Sequence, residues 1–343
     1  MDLYLFPTFP SPTNGYGMGV EYAYNRLAPR PEDMVVWYVS ASAKHPSCVK
    51  SDDVIIEKTG NLSRRSVFNI LSGRPRLEVG VGDLKDLKGR SFKKIHCDET
   101  TFFRALRNIF PNSHISVRFH NNFSRIYARM RQLRLKLDWK YTYTLKSMFE
   151  MERCIFEDKN SHKIFISDED RYYYTSMYGV ASDSETWPYY PNADLMRKNR
   201  KRELVLDKKL VWFGGVESHK YSSVKWFIDE VYPQLLRKIP ELEFHLWGSK
   251  TSDFNAPKRN IFGHGYYDGD DMPLKNALYI NPDIIGGGIK MKLLTLFENG
   301  IPFISSPFGF EGYSKELIDG KFCNVVEDRY WVDYILSLFG KKA

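Results

Sequence analysis

Seven consecutive residues in the second half of the chain, Gly286-Gly287-Gly288-Ile289-Lys290-Met291-Lys292, stand between an apolar run and a helical pattern. Glycines let a backbone approach a ligand closely. The helix that follows offers free N–H groups and its positive dipole end to an anion, and Lys290 and Lys292 add charge at the same place. The chemistry on offer is a cradle for a diphosphate. A flexible turn with solvated lysines carries the same local signature, because a lone glycine cluster is a weak signal. Other strand ends in this half also carry glycine: Gly214-Gly215, with Lys220 five residues later, then Gly248, then Gly263 with His264 beside it. Ordinary strand-to-helix turns favour glycine too, but four such ends in one half weigh toward an anion-binding half.

The first half holds a different set. Asn14-Gly15-Tyr16-Gly17-Met18-Gly19-Val20-Glu21 follows the first apolar run. His120 ends a later run and precedes Asn121-Asn122, while His96, with Asp98 and Glu99, ends the run before it. A lone histidine is more often structural than chemical, and it is the strand-end position that makes His120 a candidate. None of these histidines has metal-ligand spacing. Cys48, Cys97, Cys154 and Cys323 are scattered, without a paired framework, as expected of a reducing cytoplasm.

The elements that must position these groups follow from periodicity. In the first half, strands are expected at Leu3-Tyr4-Leu5-Phe6, Val35-Val36-Trp37-Tyr38-Val39, Lys94-Ile95-His96-Cys97, Ser116-Val117-Arg118-Phe119-His120 and Lys163-Ile164-Phe165-Ile166-Ser167. One long helix is expected over residues 123–157, and Ser167 is placed to cap a helix beginning at Asp168. Residues 187–204, with Pro188, Pro191 and a basic cluster, read as a linker. Beyond it, strands are expected at residues 209–213, 243–247, 261–262, 277–280 and 302–305, with helices over 222–238, 290–299 and 329–339. Alternating strands and helices imply an α/β fold with mostly parallel sheets covered on both faces. Ligands of such sheets sit at the carboxyl ends of the strands, where the glycines lie.

Leu210-Val211-Trp212-Phe213-Gly214 with Trp226-Phe227-Ile228-Asp229-Glu230-Val231-Tyr232-Pro233 resembles the opening of the donor domain of glycosyltransferase family 4. Residues 286–300, followed by Ile301-Pro302-Phe303-Ile304-Ser305-Ser306-Pro307-Phe308-Gly309-Phe310-Glu311-Gly312, are similar to that family's nucleotide-sugar segment. The resemblance is good over residues 209–312 and only topological before them. It implies a GT-B fold: two Rossmann-like domains with parallel sheets facing across a cleft. Residues 1–190 would be the acceptor domain, 207–326 the donor domain, and 327–343 a C-terminal helix that often crosses back to the first. It also implies a retaining, metal-independent sugar transfer from a nucleoside-diphosphate sugar, with a nucleoside diphosphate such as UDP leaving and no cofactor.

Catalysis would then rest on stabilising the departing diphosphate and placing the acceptor. Gly288, Ile289, Lys290, Met291 and Lys292, together with Gly214, Gly215, Lys220, Gly263 and His264, are the implied donor contacts. Gly17 and Gly19 match the loop that faces the diphosphate, and His120 matches a histidine that contacts the transferred sugar. Lys290 and His120 are the implied catalytic residues. The family's two glutamates fall on Gly287 and Thr295. Thr295 lacks the carboxylate that normally holds the ribose, and Glu298, three residues on, is the candidate substitute beside a plain surface role.

The formal net charge is +8 over 343 residues, which favours anionic partners. Arg125, Arg129, Arg131, Arg134, Lys136 and Lys140 crowd one stretch among Ile126, Tyr127, Met130, Leu133, Leu135, Leu137 and Trp139, opposed by Asp138 alone. Lys198-Asn199-Arg200-Lys201-Arg202 forms a second cluster. The first stretch fits electrostatic attraction to an anionic membrane, as expected for a cytoplasmic enzyme at the inner face of the plasma membrane acting on a glycan or polyprenyl-linked acceptor. A solvated helix packed on its domain reads equally well. No nucleic-acid motif accompanies the charge, so nucleic acid is not an expected partner. No apolar run has the length of a membrane span, and the first residues lack a signal-peptide pattern. The expected function is sugar transfer in capsule, O-antigen or exopolysaccharide synthesis. A GT-B scaffold that has lost turnover is the alternative, and a sugar-nucleotide epimerase a distant third.

Overall fold

All four residues of the first strand, Leu3-Tyr4-Leu5-Phe6, are buried, and burial on both faces is the rule for the central strands of the computed structural model. It describes residues 1–11, 15–40, 46–58, 64–76, 78–134, 139–179, 183–201, 203–216, 219–267 and 273–340. Asn14, Leu135, Lys136, Leu137, Asp138 and Arg202 fall outside that set, as does the side chain of Lys140.

Two units divide the chain at Pro188 and Tyr189. The first contains β1 (Leu3–Phe6), α1 (Gly15–Leu27), β2 (Met34–Val39), β3 (Val54–Glu57), α2 (Arg64–Leu71), β4 (Ile95–Cys97), α3 (Phe103–Ile109) and β5 (Ile115–Phe119). It continues with α4 (Phe123–Gln132), α5 (Trp139–Glu157), β6 (Ser161–Phe165), α6 (Asp168–Tyr178) and β7 (Ser184–Thr186). Its seven strands lie in the order β3-β2-β1-β4-β5-β6-β7, with every pairing parallel. The order reverses between β1 and β4, so the switch point of this doubly wound sheet opens at Phe6 and Cys97.

Ser167 caps α6 as expected, accepting the Asp170 N–H at 3.0 Å. The single helix expected over residues 123–157 is two, which pack on each other. Helix α4 ends at Leu133, and Arg134 enters the left-handed region at φ 51°, which a continuing helix forbids.

The second unit contains α7 (Ala193–Asn199), β8 (Lys209–Phe213), α8 (His219–Trp226), α9 (Tyr232–Lys238), β9 (Glu243–Trp247), β10 (Ile261–Gly265) and β11 (Leu278–Asn281). It ends with α10 (Met291–Glu298), β12 (Phe303–Ser305), α11 (Pro307–Phe310), β13 (Cys323–Val325) and α12 (Trp331–Leu338). Its six parallel strands run β10-β9-β8-β11-β12-β13, the same order as the first six of the other sheet. The switch point lies between β8 and β11. A π-helical turn, Phe227–Val231, joins α8 to α9, beside Pro233, which has no N–H to donate back along the helix.

The expected linker is corrected in two ways. Trp187 is buried in the first unit's core. Residues 193–199 form α7, which packs on α10, so the second unit begins at Tyr189 rather than after residue 206. Helix α12 buries Trp331, Ile335 and Leu336 in the core of the second unit beside Phe227 and Ile304. Its apolar face is therefore used within its own unit.

Candidate donor and acceptor sites

In the second unit, the pairing of Tyr279 with Val211 brings the end of β11 beside the end of β8. The expected residues Gly214 and Gly215 close β8, and residues 282–290 leave β11 next to them. Gly214 has a φ of 139°, and a Cβ on Gly248 would lie 1.9 Å from the Gly214 carbonyl oxygen. Gly248 is therefore needed so that the backbones can pack, whatever the ligand, and Gly214 for its φ. Gly288 takes φ 73°, a conformation that favours glycine, and Lys290 is the N-cap of α10.

Beneath this turn lies Asp283, 1% exposed. Lys292 Nζ stands 3.3 Å from its Oδ2 and 5.0 Å from the centre of the Trp212 ring. Neither Asp283 oxygen nor Lys292 Nζ makes a well-directed hydrogen bond among the described residues. Burial works against ionisation of Asp283, but the fields of Lys292, Lys220 and Lys290 hold its carboxyl below the usual range. Burial depresses Lys292 to about 8, and Lys220 and Lys290 add to the depression while Asp283 opposes it. Lys292 pairs with this carboxylate, and the fields of Lys220 and Lys290 add positive charge at the switch point. Lys290 Nζ donates to the Gly288 carbonyl at 2.8 Å and lies 5.0 Å from the Phe308 ring centre, which fixes the turn. The Ile284 N–H donates to Ser223 Oγ at 3.2 Å, tying the turn to α8.

Other expected donor contacts fall elsewhere in this unit. Ile289 is buried and Met291 half-buried. Gly263 lies inside β10, not at its end, and a Cβ there would come 2.1 Å from the Thr251 carbonyl oxygen. His264 Nε2 sits 3.0 Å from His245 Nδ1, and its ring stacks 4.0 Å from Trp247. Thr295 is half-buried on α10. Glu298 Oε1 accepts the Asn192 N–H at 2.9 Å, and its carbonyl accepts Asn199 Nδ2 at 2.6 Å. Glu298 thereby holds both ends of α7.

In the first unit, the switch point gathers a buried polar network. Asp98, fully buried, accepts Arg118 Nη1 at 2.9 Å through Oδ1 and faces His120 Nε2 at 2.9 Å through Oδ2. Arg118 Nη1 also donates to the Gly19 carbonyl at 3.0 Å. His96 Nε2 is 3.6 Å from Asp98 Oδ1, and its ring stacks on Trp187 at 5.7 Å. Although burial opposes it, His120 and Arg118 hold the Asp98 carboxyl far below the usual range. The expected residues Gly19 and His120 are thus linked through Arg118 and Asp98. Gly17 packs tightly, since a Cβ there would lie 2.5 Å from Ser11 Cβ. Asp283 and Arg118 were not among the expected site residues. An acidic residue after Asn281-Pro282 and an arginine inside an apolar strand carry no local mark of burial.

Comparison with protein-family models finds no match. A curated relative, an uncharacterised protein in the cps region of Klebsiella pneumoniae, is 23% identical over 101 residues, a quarter of this chain and 26% of its own length. The chain therefore spans only about a quarter of that relative. WaaG, described as a glycosyltransferase involved in lipopolysaccharide biosynthesis, superposes with a TM-score of 0.62 at 12% identity, over 99% of this chain and 89% of its own. A trehalose-6-phosphate structure from E. coli bound with UDP-2-fluoro glucose gives a TM-score of 0.54 at 12% identity, over 98% and 90%. The chain has the GT-B fold. Among the described residues of this GT-B chain, no helix is long and apolar enough to cross a membrane.

Proposed function

We propose that this GT-B chain is a glycosyltransferase that moves a sugar from a nucleoside-diphosphate donor to a glycan or polyprenyl-linked acceptor in cell-surface polysaccharide synthesis. The observation that carries the reading is the positive charge at the switch point of the second unit, where Lys292 stands 3.3 Å from the buried carboxylate of Asp283 and the fields of Lys220 and Lys290 reach the same group. A leaving diphosphate is the anion that such a site suits, because its charge grows as the glycosidic bond breaks. WaaG and the cps-region relative lend the polysaccharide context.

In this reading Lys220 and Lys290 of the second unit meet the diphosphate, and Lys292 supplies charge from beneath; within the first unit, Asp98 orients His120, the other candidate catalytic residue. The proposed transfer retains anomeric configuration and needs no metal. NMR of the first-formed product reads the anomer, and turnover surviving EDTA tests the second point. Arg125, Arg129, Arg131 and Arg134 supply electrostatic attraction to an anionic membrane, while Ile126 and Met130 beside them are buried in the first unit.

The deciding experiment is a thermal-shift screen over UDP, GDP and dTDP sugars. A rise in melting temperature that Lys290→Ala weakens supports the proposal, and silence across the whole panel defeats it. The scaffold reading draws on Thr295, which stands where a ribose-binding carboxylate is expected, and on Glu298, which is engaged with Asn192. Turnover that His120→Ala abolishes would eliminate it.

A further inference from the structure

Helix α7 lies against the end of α10 but buries none of its own residues. Its attachments are polar or backbone: Asn192 and Asn199 bond to Glu298, and the Asn199 carbonyl packs so closely on Gly300 that a Cβ there would approach to 2.7 Å. The apolar side chains are left outward. Leu195 is 43% exposed, and Tyr190 just before the helix is 72% exposed. Beside them, Ile318 is 38% exposed after the turn Lys315–Leu317. Between that turn and α7 runs an open groove of about 620 Å³, lined by Pro191, Met196 and Leu317 and walled by Arg197, Arg200 and Lys201.

Among the described residues, the free cations along this apolar strip are lysines. Lys198, Lys201 and Lys315 are exposed, whereas Asp194 pairs with Arg197 at 2.8 Å and Glu316 is exposed next to Lys315. Arg200 is pinned by Asp319 at 2.6 Å, between the rings of Phe297 and Phe322, so its charge is fixed at the wall. Protein partners select against lysine at their contact surfaces. An anionic bilayer attracts lysine as well as arginine, and takes in tyrosine and leucine tips at the headgroup level. Long basic side chains can meet phosphates while their stems cover apolar surface.

We infer that this edge of the second unit docks on an anionic phospholipid bilayer. The groove takes one lipid, with its phosphate against Lys201 and its upper acyl chain along Pro191, Met196 and Leu317. This contact is separate from the basic stretch of the first unit and does not depend on the donor reading.

The test uses the full chain with vesicles of phosphatidylcholine, with and without phosphatidylglycerol. Binding is expected only with phosphatidylglycerol. The double variant Lys198→Glu/Lys201→Glu should weaken it by about tenfold or more, while melting temperature and any nucleotide-sugar shift are kept. In Leu195→Trp, the fluorescence should move to the blue on vesicle addition. The inference is overturned by equal binding to neutral vesicles, by no vesicle binding at all, or by an unchanged affinity of the double variant when Arg131→Glu/Arg134→Glu abolishes binding. An acidic protein that binds this face in place of vesicles would also overturn it.

Discussion

At the scale of single residues, Asp283 and Lys292 define the proposed donor site more sharply than the glycines do. Lys292→Met would strand a buried carboxylate, so a loss of about 3 kcal/mol is expected in urea unfolding. Asp283→Asn added to it should recover most of that stability without restoring a donor-induced melting shift, separating packing from ligand binding. The pH dependence follows from the Lys292 ammonium, whose pKa is depressed to about 8 in the folded chain. An arriving diphosphate raises that pKa, so above pH 8 donor binding takes up a proton. Affinity should fall as pH rises from 8 to 9.5, and calorimetry in buffers of different ionisation enthalpy should detect the uptake. A flat profile would mean that Lys292 does not feel the donor. In the other unit, Asp98→Ala leaves Arg118 charged and buried, and is expected to cost about 3 kcal/mol or more. His120→Ala keeps that ion pair, so it should lower turnover with a smaller loss of stability. Residue type and position suffice to propose His120 and Lys290 from the sequence, and to note Asp98 beside His96. That Asp98 faces His120 and Asp283 faces Lys292 was not legible, because their burial depends on strands far away in the chain.

At the scale of elements, the glycines divide into two kinds. Gly263→Ala places a methyl 2.1 Å from the Thr251 carbonyl oxygen, whereas nothing lies within 4 Å of the same methyl at Gly82. The first change should cost about 2 kcal/mol or more by overpacking, and the second should stay within about 0.5 kcal/mol; thermal unfolding of both checks this. Buried strands such as β1, β2 and β8 were readable from their apolar runs. The edge strand β3 alternates half-buried and exposed residues, and β7 and β13 have three residues each, too few for a period to show. Helix α7 was hidden for a different reason. Its polar attachment to Glu298 leaves no buried stripe, so its sequence reads as a linker.

At the scale of the molecule, two sheets of matching strand order rest on separate cores. The fold class was open to sequence reasoning because strand–helix alternation survives without side-chain detail. Pro188, Pro191 and the basic cluster mark the end of the first unit, but in the sequence the start of the second falls too late, since α7 reads as part of a linker. Two cores predict two calorimetric transitions. A nucleotide sugar at a hundred times its Kd should stabilise the responding unit by about 2.7 kcal/mol, moving the transition that Lys292→Met lowers. Movement of the other transition alone would place the donor site in the wrong unit.

Trp331, fully buried against Phe227 and Trp226, has a consequence for how the chain is made. The first unit's core is complete in sequence by Trp187 and can close while the ribosome is still translating the rest. The second unit has to wait. Its indole plug is among the last described residues to emerge, so through most of that unit's synthesis the apolar surfaces of α8 and β9 lack their cover. The nascent second unit is therefore the stretch most in need of a chaperone, and a premature stop just before α12 would release a finished first unit joined to an unfinished second.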